Sequence, residues 1–113
     1  MESVRVILEA LQSGNSTLAT RTVDLELKKS PQSDVYLSLK VHVAHSLLDK
    51  RACIKAAEEA VKVCSKKTLE MFLVPALADY NRSDLLQQAF QRVDRLVPSD
   101  TDVREFWLET ALL

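Results

Sequence analysis

Helix-breaking residues are scarce in this chain and regularly spaced, and that spacing limits its folding options more than any other feature. Among 113 residues there are one glycine and three prolines. The stops read as Gly14-Asn15, Ser30-Pro31, Asp49-Lys50, the neighbourhood of Ser65, Asn81-Arg82 and Pro98-Ser99, which leaves seven segments of helical length. Leu, Ala, Val, Glu and Lys dominate them and aromatics make up 5%. An all-α fold with short turns is therefore expected, because a β-sandwich needs far more turn punctuation.

Each segment carries its own start and stop signals. Val4, Ile7, Leu8 and Leu11 recur at helical spacing in the first, and Gly14 is suited to a left-handed C-terminal turn. Asn15 or Ser16 can cap the second, which runs through Leu18, Ala19, Val23 and Leu27 until Pro31 forbids continuation. A third helix over about 33–48 places Asp34 near its positive end, and a fourth covers about 51–64. The fifth, about 67–80, contains Pro75 and is expected to bend there. Ser83-Asp84 opens a sixth through Leu86, Ala89, Phe90 and Val93, and Asp100 or Thr101 caps a seventh through Val103, Phe106, Trp107 and Leu108.

The stops repeat. Shifting the second segment by about 34 residues lays Ala19 on Cys53, Val23 on Ala57 and Leu27 on Val61, and a further shift of about 33 lays Cys53 on Leu86, Ala57 on Phe90 and Ala60 on Val93. Two helices per unit at that period predict a tetratricopeptide-like right-handed α-α superhelix. Its repeats are 1–32, 33–66 and 67–99, with a half-repeat at 100–113. In this register Ala52, Cys53, Ala56, Ala57 and Ala60 mark a tight crossing of the fourth helix with its neighbours. The first helices of the units should line a concave groove, with Val4, Leu8, Leu11, Ser38, His42, His45, Met71 and Ala78 facing it.

Composition excludes several functions. With 15 basic against 16 acidic residues and basic clusters no longer than Lys28-Lys29 and Lys66-Lys67, no polyanion site is expected, so nucleic acid is not a partner. No apolar run approaches the roughly 20 residues that cross a bilayer. Met1 leads directly into a charged amphipathic pattern, so the expectation is a soluble cytoplasmic protein without a membrane partner.

Candidate chemistry is thin. His42 and His45 share a helix face and could bracket a metal, but no spaced third ligand accompanies them. Cys53 and Cys64 lie about three turns apart, roughly 16 Å, too far for a disulfide within one helix, and Cys53 fills a small-residue slot. Glu58-Glu59 and the carboxylates around Thr101 point in different directions on a helix, which ill suits a shared acid/base site. Gly14 stands alone, so there is no phosphate-cradling loop. No catalytic residue, metal or cofactor is expected. The candidate protein-binding residues are Val4, Leu8, Leu11, His42, His45, Met71, Phe106, Trp107 and Leu112, the last three on a terminal helix through which copies could self-associate.

The order of segments resembles a known family. The stretches ILEALQSGNSTLATRTVDLELKKSP, DKRACIKAAEEAVKV and TLEMFLVPALADYNRSDLLQQAFQRVDRLVPSD are similar to the N-terminal repeats of the auxiliary subunit of the N-terminal acetyltransferase NatB. That resemblance implies a non-catalytic scaffold that wraps a separate catalytic subunit and helps bring it to the ribosome, with acetyl-CoA bound by the partner. A generic peptide- or helix-binding adaptor and a small all-helical enzyme fragment or ligand binder are the alternatives. A clamp for a C-terminal carboxylate needs Lys, Arg and Asn in the groove, where this register places mostly apolar residues.

Overall fold

A computed structural model describes residues 2–93, and every regular element among them is helical. The order is α1 (Glu2–Gln12), α2 (Ser16–Lys29), α3 (Asp34–Ser46), α4 (Lys50–Ala60), α5 (residues 66–79) and α6 (Ser83–Val93). The seventh helix expected from the sequence, with Phe106, Trp107 and Leu112, falls outside the described residues.

The turns within successive pairs are built alike. Gly14, Leu48 and Asn81 hold φ of 79°, 59° and 56°. In each turn the following amide reaches back to the preceding helix: Asn15 N to Ala10 O at 2.7 Å, Asp49 N to Ala44 O at 3.0 Å and Arg82 N to Leu77 O at 2.9 Å. The left-handed residue donates to Leu11, His45 and Ala78 in turn. These are three Schellman endings. In the first two, the residue after the turn also caps the next helix, Asn15 accepting from the Leu18 amide and Asp49 from that of Ala52.

The starts of α3 and α5 are capped as well. The Ser33 hydroxyl accepts from the Tyr36 amide. Ser65 and Thr68 form a reciprocal box in which each side chain accepts the other's backbone N–H.

The core forms around α3, which touches α1, α2, α4 and α5. It is accordingly buried on more than one side, through Val35, Leu37, Leu39, Val41, Val43 and Ala44. The closest neighbour is α4, whose small strip allows the approach: Cys53, Ala57 and Ala60 are fully buried, Ala56 nearly so, and Ala52 packs against the core edge. The Cys53 thiol lies 3.6 Å from the Val41 carbonyl as donor.

α5 is one continuous helix in three parts: Lys66–Thr68, a π-helical turn over Leu69–Leu73, and Val74–Asp79. Pro75 has no N–H to return to the preceding turn and its ring would collide with the carbonyl four residues back. The wider turn just ahead, in which Val74 N donates to Leu69 O, leaves Pro75 near the start of the final α-helical part, where a missing donor costs least.

One alignment is corrected. The period placed Leu86 and Phe90 in line with the small strip of α4, yet the buried residues of α6 are Leu85, Ala89 and Val93, while Leu86 is partly buried and Phe90 is 36% exposed. Val93 is buried, as its alignment with Ala60 expects, so the departure is confined to the Leu86 and Phe90 positions. Beside Val93, Arg92 reaches the end of α4, where its Nε donates to O of the C-cap Val61 at 2.9 Å and its Nη2 to Cys64 O just beyond.

The described residues span 35 × 30 × 25 Å, so their three helix pairs form a body nearly as wide as it is long. Among the described residues no helix is long and apolar enough to cross a membrane.

Candidate functional site

The richest polar chemistry lies between α3 and α5. At one end Asp34 opens α3, and its Oδ1 accepts from the Thr68 hydroxyl at 2.6 Å and from Ser38 at 3.3 Å. Its Oδ2 is buried without a partner. Burial pushes the carboxyl above its ordinary range, opposed by hydrogen bonds from Thr68, Ser65 and Ser38. Thr68 and Ser38 are themselves fully buried. Next to this group lies Cys64, whose sulfur is 3.2 Å from Arg92 Nη2.

At the other end His45 Nε2 lies 2.6 Å from Asp79 Oδ2, and its ring meets Tyr80 edge-on at 5.9 Å. Between the two ends the His42 ring meets Phe72 at a tilt of 40°, with ring centres 4.9 Å apart. Burial, and then the neighbouring His45, hold the His42 imidazole below its usual pKa. It is a neutral ring in an aromatic contact.

The residues singled out in the sequence separate into three groups. Val4 is fully buried and Leu8 is 9% exposed, so both are core rather than the open groove assumed for them. Leu11 and Met71 are partly buried against that core. The apolar stripe of α1 had the right spacing for either role, and contact with α2 and α3 takes it into the interior. His42 and His45 do share a face, as the spacing required, and that face meets α5. Phe106, Trp107 and Leu112 lie outside the described residues.

Among the described residues no three His, Cys, Asp or Glu side chains converge as a metal would need. Both cysteines are buried free thiols. Cys53 is pushed up to about 11 by burial and by Asp49. Cys64 also stands at about 11 because burial outweighs the opposing effect of Arg92. Neither is thiolate near neutrality. The described hollow on α2, about 400 Å³, is lined by Ser16, Thr17, Thr20 and Arg21 of that one helix.

Sequence reasoning missed the Asp34–Thr68 and His45–Asp79 bonds, although a signal was present. Both pairs are separated by 34 residues, the same spacing as the period read from the stops in the sequence. The stop at Asp49-Lys50 was legible, but not that the turn would leave Leu47 and Leu48 44% and 82% exposed. No family model matches the chain, and neither the curated proteins nor the solved structures give a significant match.

Proposed function

We propose that the chain is a non-catalytic helical-repeat scaffold working through protein contacts, its helix pairs stacked as tetratricopeptide-like units of a right-handed superhelix. One observation carries this reading: equivalent positions recur in the same structural role. The Schellman turns at Gly14, Leu48 and Asn81 are spaced like the repeat, and residues 34 apart bind each other at both ends of α3 and α5. Parallel first helices in direct contact are how stacked units bury faces that a single unit leaves open. Asp34 with Thr68 and His45 with Asp79 commit polar groups of this junction to bonds between α3 and α5, which supports a framework over a reaction centre.

In its specific form the proposal follows the resemblance to the NatB auxiliary subunit: a cytoplasmic scaffold for a catalytic N-acetyltransferase subunit, with the ribosome as a further contact. Co-expression with a NatB-type catalytic subunit tests it. The expected result is co-purification in equal amounts, with acetyl-CoA bound by the complex and not by this chain alone. Acetyl-CoA binding by the isolated chain, or no complex under any co-expression condition, overturns it.

A further inference from the structure

The turn between α2 and α3 leaves one hydroxyl without a structural role. Among the described serines and threonines, only Ser13 and Ser30 are both exposed and outside a helix, and the Ser13 hydroxyl donates to Ala10 O at 3.2 Å. Ser30 uses only its backbone, its N–H closing α2 on Glu26 O at 2.9 Å and its carbonyl accepting from Ser33 N at 3.1 Å. Its hydroxyl makes no hydrogen bond among the described residues. Ser33 is the contrast, because its hydroxyl caps α3 through the Tyr36 amide. Ser30 is also the one serine or threonine of the chain that precedes a proline, since Pro75 and Pro98 follow valines. Pro31 holds it out of the helix, at φ of −138° and ψ of 77°. Lacking an N–H, Pro31 can enter an apolar pocket of another protein without stranding a donor there. Lys28 and Lys29 form the last turn of α2 just ahead, and both are exposed.

We propose that Ser30 is a phosphorylation site for a proline-directed serine/threonine kinase, with Lys28 and Lys29 offsetting the phosphate at the end of α2. In that step Ser30 Oγ attacks the γ-phosphorus of ATP held by the kinase. The Oγ–P bond forms as the bridge to the β-phosphate breaks, ADP departs with the bonding electrons, and the hydroxyl proton passes to the kinase's catalytic carboxylate. A phosphoserine carries about −1.5 to −2 charge at neutral pH. The carbonyl end of α2 repels that charge, and the two lysines oppose the repulsion. Lys29 can turn from Glu26, 3.6 Å away, because the Glu26 carboxylate also accepts from the Ser3 hydroxyl at 3.0 Å. Phosphorylation therefore changes the surface charge between the first two helix pairs and leaves the helices formed.

The first measurement is phosphopeptide mass spectrometry on the protein isolated, under phosphatase inhibitors, from the cells that make it. Phosphate on Ser30 is expected, and finding Ser30 only unmodified, or phosphate on Ser33 in its place, overturns the proposal. The folded chain is then incubated with ATP and a purified kinase of the cyclin-dependent class. It should take up one phosphate and keep its helical circular dichroism. Ser30→Ala should abolish the uptake and Pro31→Ala should lower it at least about tenfold. Undiminished uptake by Pro31→Ala overturns the proline-directed assignment. A synthetic peptide of residues 24–36 separates motif from fold, because labelling of the peptide without labelling of the folded chain would mean that the turn shields Ser30, and the proposal fails. The lysines are read by phosphorus NMR of the phosphorylated chain. Lys28→Gln/Lys29→Gln should raise the titration midpoint of the phosphate, since two cations favour its dianion, and an unmoved midpoint overturns their part in the site.

Discussion

His42 shows how one residue's setting becomes a property of the whole chain. Its pKa is depressed below 6.5 by burial and by His45, so the folded chain resists a proton that the unfolded chain accepts. Stability from this group is present above pH 6.5 and is lost as pH falls toward the folded value. His42→Phe keeps a ring against Phe72 and removes the titration. The urea midpoint of wild type should therefore fall further than the variant's between pH 7.5 and pH 5, and parallel losses would reject the assignment. Leu48 gives the opposite lesson, that a residue can sit where the fold prefers another. Leu48→Gly should raise stability by roughly 0.5–1 kcal/mol, the relief of the left-handed penalty less glycine's extra chain entropy. An unchanged or lowered thermal midpoint would show that the leucine is not strained. Nothing in the sequence marked this position, because the left-handed requirement comes from the turn and leucine carries no turn signal.

Elements were more legible than residues. Gly14 and Asn15 announced a turn and a cap, and Asp49 and Ser65 announced stops, through chemistry that acts within four residues, and the small strip of α4 announced a close neighbour. That strip is α4's contact with the core, and Ala57 is fully buried in it. Ala57→Leu should cost about 1–3 kcal/mol by overpacking, read as a lower denaturant midpoint with an unchanged slope. What periodicity could not supply was the identity of the neighbour. The stripe of Val4 and Leu8 reads the same whether it meets a core or a groove, and Pro75 signals trouble in α5 without specifying a π turn as the remedy. Thr68 shows why long-range partners are hardest to read. Its hydroxyl accepts from the Ser65 amide at its own helix start and donates to a carboxylate 34 residues away, and only the first role is local. Thr68→Val keeps the shape but removes both, leaving Asp34 more poorly satisfied. A loss of about 1–3 kcal/mol is expected, measured by chemical denaturation, and a neutral result would mean that the Asp34 bond contributes nothing net.

At the scale of the whole molecule, a stack of units joined mainly to their neighbours distributes its stability differently from a globule with one shared core. α6 is joined to the rest through α5 and through Arg92, which spans 31 residues to the Val61 carbonyl and 28 to that of Cys64. Val61 is the C-cap of α4 and Cys64 lies just beyond it, so the guanidinium of α6 satisfies carbonyls at the end of α4, and truncating it should loosen that junction first. Arg92→Met keeps much of the aliphatic stem while removing the donors. Native-state hydrogen exchange should then show lost protection in α6 and the last turn of α4, with α1 and α2 unchanged. A single cooperative core would answer differently, because the same substitution would lower the protection of the slowest amides in all six helices by the same amount. The pattern of exchange therefore tests the repeat architecture directly: a graded loss fading toward α1 belongs to stacked units, and a uniform loss would replace them with one indivisible bundle.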